Sequence, residues 1–216
     1  MNPETELPGF ERLRAVCQRL SLLMSLSPPS ASAPRHTDTL FGEPLDPQLA
    51  AFYERLGGAT LGSLLLYKPG DGFEDLVPWN QRLRGYDPAH YSSCLLFGQE
   101  SGFAFYYGTV PKLADTQGRQ PIVYLEAMDA QFAIPVASCI DRFFDLYASY
   151  LELAAKPPDL AETGIPDSVH FPWDVQHLIV QDVPLIERVR AGDFDFLSNN
   201  YRDALEWLRK LRSGPP

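Results

Sequence analysis

Apolar residues recur at helical spacing near the N-terminus and then give way to a polar, proline-rich stretch. Phe10, Leu13, Cys17, Leu20 and Met24 fall three or four residues apart, which is the spacing of one face of an α-helix. The segment "SPPSASAPRHTD" that follows combines prolines, serines and alanines, a composition typical of a linker. The pattern therefore predicts an amphipathic helix near residues 8–25, followed by a linker without regular structure.

A second helix is predicted after the linker, with sequence signals for both of its ends. Asp46 can cap the helix through its carboxylate, and Pro47 suits the first helical turn. Gly57 can adopt the left-handed conformation that ends a helix. The apolar residues of one face are Leu49, Phe52, Tyr53 and Leu56. We expect a helix of about three turns that packs inward on this face.

Strand-like segments separated by tight turns dominate the middle of the chain. The pattern predicts a strand at 64–67, a Pro-Gly-Asp-Gly turn and a second extended piece toward Trp79. The segments "SSCLLFG" and "GFAFYYG" predict a hairpin around 99–101, and "PIVYLE" and "AQFAIPV" flank another turn at 127–129. The predicted fold class is α+β, with a mostly antiparallel sheet of about 4–6 strands packed against helices.

The segment "GFAFYYG" places four aromatic residues within five positions. Phe103, Phe105 and Tyr107 occupy alternate positions and therefore share one face of a strand. Their rings form either an exposed platform for a ligand or nucleic acid, or part of the core. A platform for single-stranded nucleic acid needs a basic groove beside it, whereas the neighbouring charges here are mixed in sign. We expect the rings to be buried under a helix at 139–151.

Helical patterns return after the predicted sheet. A broad apolar stripe follows Ser138, and further helices are predicted at 184–190 and 198–211. Trp207 lies beside the apolar stripe of the last helix, so we expect the C-terminal extension to pack on the core. The chain divides into an N-terminal helix and Pro/Ser/Ala linker at 1–37, a core at 38–155 and a helical extension at 156–216.

The net charge of the chain, −10, is concentrated in two segments. Residues 38–75 contain seven acids and two bases, and residues 126–167 contain eight acids and two bases. This distribution argues against direct nucleic-acid binding, which needs clustered Lys and Arg. It favours a basic protein partner, because complementary charge speeds encounter. The alternative is that the acidity serves only solubility.

Three cysteines and a short apolar stretch bear on the compartment. Cys17, Cys94 and Cys139 are far apart and odd in number, which fits a reducing cytoplasm. The stretch "LSLLMSLSPPSASA" has features of a signal peptide, but the preceding residues include several glutamates and the apolar run is broken by serines. We favour a helix and linker there, no membrane span and a cytoplasmic location.

No catalytic motif stands out in the sequence. The nucleophile elbow G-x-S-x-G, the phosphate loop and the zinc motif H-E-x-x-H do not occur. His170 and His177 flank Asp174 and hint at a metal site, but Pro172 argues against a continuous helix that would hold them together. The sequence therefore predicts a protein without enzymatic activity, bound metal or cofactor, and a metal-dependent enzyme remains the less favoured hypothesis.

Four segments, in this order along the chain, resemble the SUKH superfamily. "FGEPLDPQLAAFYERLGGATLG" is similar to its entry motif, a short approach and a helix that ends in a Gly-Gly pair. "LLFGQESGFAFYYG" resembles its strand, turn and aromatic strand, and "PIVYLE" resembles the strand that follows. "VASCIDRFFDLYASYL" resembles its closing helix. The resemblance covers about residues 38–155, whereas the linker, the turn at 100–102 and the C-terminal tail depart from the family pattern.

The resemblance implies a compact α+β domain of SUKH type, here with extra N- and C-terminal helices. It implies a bacterial immunity protein that belongs to a polymorphic toxin system and neutralises a cognate secreted toxin by binding it. The superfamily also includes a yeast cell-wall assembly regulator, so a non-catalytic intracellular scaffold or regulator is the alternative. Genomic position separates the two hypotheses, because an immunity protein is expected beside a toxin gene.

The candidate contacts for a toxin with a basic surface are acids in loops between strands and two aromatic residues in the connection "PWNQRLRGYDPAHY". For Trp79, packing of this connection back onto the domain is the favoured interpretation. The candidate partner-binding residues are Asp71, Glu74, Asp75, Trp79, Tyr86, Glu126 and Asp129.

Overall fold

The structure is a computed structural model of the 216-residue chain. Helices pack on both faces of an antiparallel sheet, which confirms the predicted α+β fold class. The described residues are 6–31, 33–35, 37–87, 91–102, 104–126, 132–155, 169–198 and 201–214.

Nine strands in the described residues form one large sheet and one small hairpin. They are β1 (Met24–Leu26), β2 (Thr39–Leu40), β3 (Glu43–Pro44), β4 (Ala59–Leu61), β5 (Leu64–Leu66), β6 (Leu95–Glu100), β7 (Phe105–Thr109), β8 (Ile122–Glu126) and β9 (Phe132–Ala137). The large sheet has seven antiparallel strands in the order β1-β4-β5-β6-β7-β8-β9, and β2 pairs with β3. It exceeds the predicted width because Met24 begins an edge strand instead of ending a helix.

Seven α-helices lie in the described part of the chain, none of them long and apolar enough to cross a membrane. They are α1 (Pro8–Arg19), α2 (Pro47–Arg55), α3 (Leu76–Tyr86), α4 (Ile140–Ala154), α5 (Gln176–Ile179), α6 (Val183–Ala191) and α7 (Arg202–Ser213).

The aromatic strand β7 contributes to the core on the face covered by α4. Tyr107 is fully buried, and its ring centroid lies 4.8 Å from that of Phe143 on α4. Phe105, two residues earlier, is half-buried and packs on Tyr124 of the neighbouring strand at 5.5 Å. The predicted burial is confirmed for Tyr107 and holds in part for Phe105, while Phe103 lies outside the described residues.

The opposite face of the sheet is covered by α3. The Tyr106 ring, which points to this face, lies 6.1 Å from the Trp79 ring on α3. The buried Asn80 side chain donates a hydrogen bond to the Leu96 carbonyl at 2.7 Å and accepts one from the Leu96 N–H at 2.8 Å. The prediction of an extended segment toward Trp79 is therefore wrong, because Trp79 lies in the helix α3. A polar residue occupies the inward face of α3, so the apolar helical period is interrupted there.

The N-terminal helix forms but is shorter than predicted. Its apolar face is buried, and the N–H of Gly9 donates to the Asp141 carboxylate at 2.7 Å, which brings α1 and α4 close together. The helix ends at Arg19 rather than near residue 25. Ser21 has a φ of 54°, a left-handed conformation that turns the chain from α1 toward β1.

The helix α2 begins as predicted and ends differently. The buried Asp46 carboxylate accepts hydrogen bonds from the N–H groups of Gln48 at 2.8 Å and Leu49 at 3.0 Å, so the predicted N-cap is confirmed. At the other end Gly58, with a φ of 114°, takes the positive dihedral that was predicted for Gly57.

The C-terminal helices pack beside the last strand of the sheet. The Trp207 indole N–H on α7 donates to the Pro135 carbonyl of β9 at 3.1 Å. The Trp207 ring lies 5.2 Å from the Trp173 ring, and Tyr201 stacks on Phe132 of β9 at 5.0 Å. These contacts cover the edge of the sheet at β9.

Candidate protein-binding surface

The loop at 68–75 carries three of the predicted contact acids and connects β5 to α3. Its shape is fixed by internal hydrogen bonds: the Asp75 carboxylate accepts the Gly72 N–H at 2.7 Å, and the Leu76 N–H donates to the Lys68 carbonyl at 2.8 Å. A Cβ at Gly70 would lie 2.4 Å from the Asp75 carboxylate. The Asp75 side chain therefore organises the loop from within.

The other two acids of this loop point outward. Asp71 and Glu74 are both exposed, and neither forms an ion pair within the described part of the chain. Their charges are therefore available to a partner. Exposed, unpaired acids on a rigid loop attract a basic surface without first having to break an internal bond.

Next to these acids, the exposed ring of Phe73 packs on two half-buried residues of α3, Trp79 and Arg82, and the exposed Tyr86 follows on the same side of the helix. The guanidinium of Arg82 lies 3.5 Å from the ring centroid of Phe73 and 3.8 Å from that of Trp79, in cation–π geometry. Phe73 is 72% exposed, and Tyr86, one helical turn beyond Arg82, is 79% exposed. We call Phe73, Trp79, Arg82 and Tyr86 the aromatic flank of α3.

Trp79 joins the aromatic flank to the core. Its ring packs on Tyr67 at 6.3 Å and Tyr106 at 6.1 Å, and Phe73 lies 6.2 Å away on the outer side. Burial raises the pKa values of Tyr67 and Tyr106, so both phenols stay neutral. Trp79 thus packs back onto the domain and supports Phe73, while Tyr86 extends into solvent.

Two members of this flank, Phe73 and Arg82, were not among the predicted contact residues. Phe73 is the single aromatic residue in "PGDGFED", a segment otherwise composed of turn residues and acids. That isolated position in a polar loop is a sequence signal for exposure. The position of Arg82 against two rings depends on α3 being a helix, which the sequence pattern did not predict.

The remaining predicted contacts lie elsewhere. Glu126 is half-buried at the end of β8, where it pairs with Phe105 and Phe132. The register of the intervening strands aligns this end of β8 with the start of β5, so Glu126 and the loop that follows β5 lie at opposite ends of the strands. The structure therefore does not bring Glu126 together with Asp71 and Glu74. Asp129 lies outside the described residues.

The described acids of the second acidic segment that lie on α4 are engaged within the fold. Asp145 and Glu152 on α4 each bind Arg12 of α1 at 2.7 Å, and Glu152 also binds Arg19. The hydrogen bond from Arg19 lowers the pKa of Glu152. These carboxylates hold α1 against α4, so the charge of this segment does not produce a free acidic surface on α4.

His170 and His177, which hinted at a metal site, lie on either side of a short 3₁₀ helix at Trp173–Val175. Within the residues that the structure describes, no three His, Cys, Asp or Glu side chains are grouped to hold a metal ion. The Asp174 carboxylate instead accepts the main-chain N–H of His170 at 2.8 Å.

The α3 region thus places exposed acids of the loop at 68–75 beside two exposed aromatic rings. Aromatic side chains are enriched in protein interfaces, and charged groups lie at their rims. A comparison of the sequence with known proteins finds no matching protein-family model and no significantly similar curated protein.

Proposed function

We propose that the protein is a cytoplasmic immunity protein that binds and neutralises a cognate bacterial toxin through the aromatic flank of α3. The proposal combines the resemblance of residues 38–155 to the SUKH superfamily with the surface described above. It requires no catalytic residue and no cofactor. Inhibition follows from occupancy of the toxin surface alone.

One observation carries the proposal: two large aromatic side chains are presented to solvent on the same part of the fold. Phe73 and Tyr86 are 72% and 79% exposed, and Phe73 packs on Arg82, which lies one helical turn before Tyr86. Arg82 and Trp79 support Phe73 from behind. Aromatic and Arg residues are the types that dominate binding energy in protein interfaces.

In this proposal, the acidic loop at 68–75 raises the rate of association and selects a partner with a basic surface. Asp71 and Glu74 stand beside the aromatic flank and are exposed. Opposite charge on the toxin would steer the encounter and raise the association rate, which an inhibitor of a lethal protein needs. We therefore expect a toxin with a basic patch at its binding site.

The test is growth of bacteria that express the toxin encoded beside this gene. Coexpression of the wild-type protein is expected to restore growth, and the purified pair is expected to coelute. The variant Phe73→Ser/Tyr86→Ser should lose roughly 100-fold or more in affinity and fail to protect, because both rings act as anchors. Its fold is checked by thermal unfolding, which should not change.

The matched control is Leu23→Ser/Leu205→Ser, which removes two other exposed apolar side chains far from α3 along the chain. This variant should protect as well as the wild type does. Equal protection by the Phe73→Ser/Tyr86→Ser variant would contradict the use of the aromatic flank. Failure of the wild type to bind any neighbouring gene product, together with capture of a housekeeping protein, would favour the scaffold or regulator hypothesis.

A further inference from the structure

A groove of about 570 Å³ lies on the other side of α3, away from Tyr86. Val77 and Tyr86 are nine residues apart, which is about two and a half helical turns, so they stand on opposite sides of α3. The groove is open to solvent and is lined by residues 34 and 37–40 and by residues 69–71, 76 and 77. It is therefore continuous with the loop that carries Asp71.

The lining of the groove is part polar and part apolar. Among its apolar residues, Leu40 is half-buried and Val77 is 37% exposed, so both present aliphatic surface, and the fully buried Leu76 lies beneath them. Pro34 and Pro69 add further apolar atoms with fixed backbone geometry. The hydrocarbon stem of a long side chain can pack on such aliphatic surface.

Each of the two segments that line the groove contributes one carboxylate. Asp38 comes from one segment and Asp71 from the other, and both are exposed. One Asp38 oxygen accepts the Arg35 N–H at 2.8 Å, and in the described part of the chain neither carboxylate forms an ion pair. The groove thus combines aliphatic side chains with two negative charges.

We propose that this groove receives a lysine or arginine side chain of the protein partner. The aliphatic stem of that side chain lies against Leu40 and Val77, and its cationic head reaches the carboxylates of Asp38 and Asp71. Long basic side chains bury their stems and keep their charge at a polar rim, which is the pattern that this groove matches. The inference rests on the proposed function, because it defines the chemistry of the same partner.

The hairpin formed by β2 and β3 lies beside the groove and contacts α3. Phe41, at the turn between β2 and β3, has a φ of 58°, a left-handed conformation that a bulky residue rarely adopts. Its ring is 38% exposed, and the guanidinium of Arg84 lies 4.5 Å from the ring centroid. The hairpin is thereby tied to α3 and gives the groove a fixed wall.

The experiment uses random peptides displayed on phage, selected on the full-length immobilised protein, so that no toxin needs to be known. Selected peptides should contain Lys or Arg next to aliphatic or aromatic residues. Synthetic copies should bind Asp38→Asn/Asp71→Asn roughly tenfold or more weakly than wild type. The control Glu187→Gln/Asp203→Asn, which removes two exposed acids of α6 and α7, should bind the peptides like wild type.

The groove proposal is overturned if the peptides need no basic residue, or if they bind the Asp38→Asn/Asp71→Asn variant as tightly as the wild type. The peptide-binding measurement tests the groove, whereas the growth test measures protection against the toxin, so the two can fail independently. Peptide binding in the groove without protection against any toxin would contradict the proposed function alone. Protection that survives the Asp38→Asn/Asp71→Asn change would contradict the groove proposal alone.

Discussion

The carboxylate of Asp46 accepts the main-chain N–H of Gln120 at 2.6 Å, although the two residues are 74 positions apart. The same carboxylate caps α2, so one buried side chain joins the start of a helix to the segment before β8. We expect Asp46→Ala to lower the free energy of unfolding by about 2–4 kcal/mol, because three buried N–H groups lose their acceptor. Chemical denaturation measures this change.

The control for this variant is Asp203→Ala, which changes an exposed acid in the first turn of α7. Its effect on stability should stay within about 0.5 kcal/mol. Equal stability of the Asp46→Ala variant and the wild type would mean that the carboxylate contributes no net free energy at this junction.

Protonation of Asp46 should make the free energy of unfolding depend on pH. Burial raises its pKa to about 6, despite the hydrogen bonds from Gln120, Leu49 and Gln48. Because the folded-state pKa lies above that of the unfolded chain, the contribution of Asp46 is present at low pH and is lost as pH rises through about 6. From about pH 7 to about pH 5, the wild type should gain about 1 kcal/mol relative to Asp46→Asn.

In the comparison of the wild type with Asp46→Asn, the contributions of the other titrating groups cancel, because both proteins contain them. Urea denaturation of the pair at each pH gives the difference directly. A relative stability that falls on acidification would show that the three N–H donors outweigh burial and keep the pKa low.

The arginines of α1 should stabilise the fold through α4. Arg12 donates to the Asp145 carboxylate at 2.7 Å, to Glu152 at 2.7 Å and to the Ser149 hydroxyl at 2.8 Å. These side chains are about one-third exposed, so we expect Arg12→Ala to cost only about 1 kcal/mol, and less at high salt. Unfolding at low and high salt tests the prediction.

Arg14 provides the comparison on the same helix, because it pairs with Glu11 within α1. Its replacement by Ala should change stability by about 0.5 kcal/mol or less. If both variants lose the same stability with no dependence on salt, the contacts of Arg12 act through packing alone.

Trp207 should be the most costly residue of α7 to remove. It is 2% exposed, donates to Pro135 and packs on Trp173. We expect Trp207→Ala to lower the free energy of unfolding by about 3–5 kcal/mol. Leu205→Ala on the same helix, where Leu205 is 45% exposed, should change it little. Comparable losses from both variants would argue against this packing.

Removal of residues 156–216 should uncover the same edge of the sheet. Without Trp207 and Tyr201, the side chain of Phe132 and the outer edge of β9 lose their cover. The truncated chain is expected to aggregate, as unprotected strand edges do. Size-exclusion chromatography after refolding measures this outcome, and a monomeric, cooperatively folding fragment would contradict it.

The sequence pattern predicted elements whose local signals agree with one another. The helix α2 has an N-cap residue, a proline at its first position and an apolar stripe, and it forms where it was expected. The hairpin of β6 and β7 also forms, although β6 continues through Gln99 and Glu100, which were assigned to the loop. In these two elements, residues close together in the sequence were sufficient to predict the structure.

Features that depend on distant contacts were not predictable in this way. The helix α3 was missed because Asn80 replaces an apolar residue on its inward face, and its partner Leu96 is 16 positions away. The separation of Glu126 from Asp71 follows from strand register, which the spacing of residues along the chain does not reveal. The charge count of the segment at 126–167 also does not reveal that Asp145 of α4 pairs with Arg12, more than a hundred residues away.

The hydrogen bond from Gly72 to Asp75 keeps the exposed loop in one shape before any partner arrives. A contact surface that is already ordered loses little conformational entropy on binding. Because this order comes from Asp75 and the glycines, the side chains at positions 71, 73 and 74 can change without disturbing the sheet beneath. Under the proposed function, substitutions at these three positions would change the recognised surface while the framework that holds it stays the same.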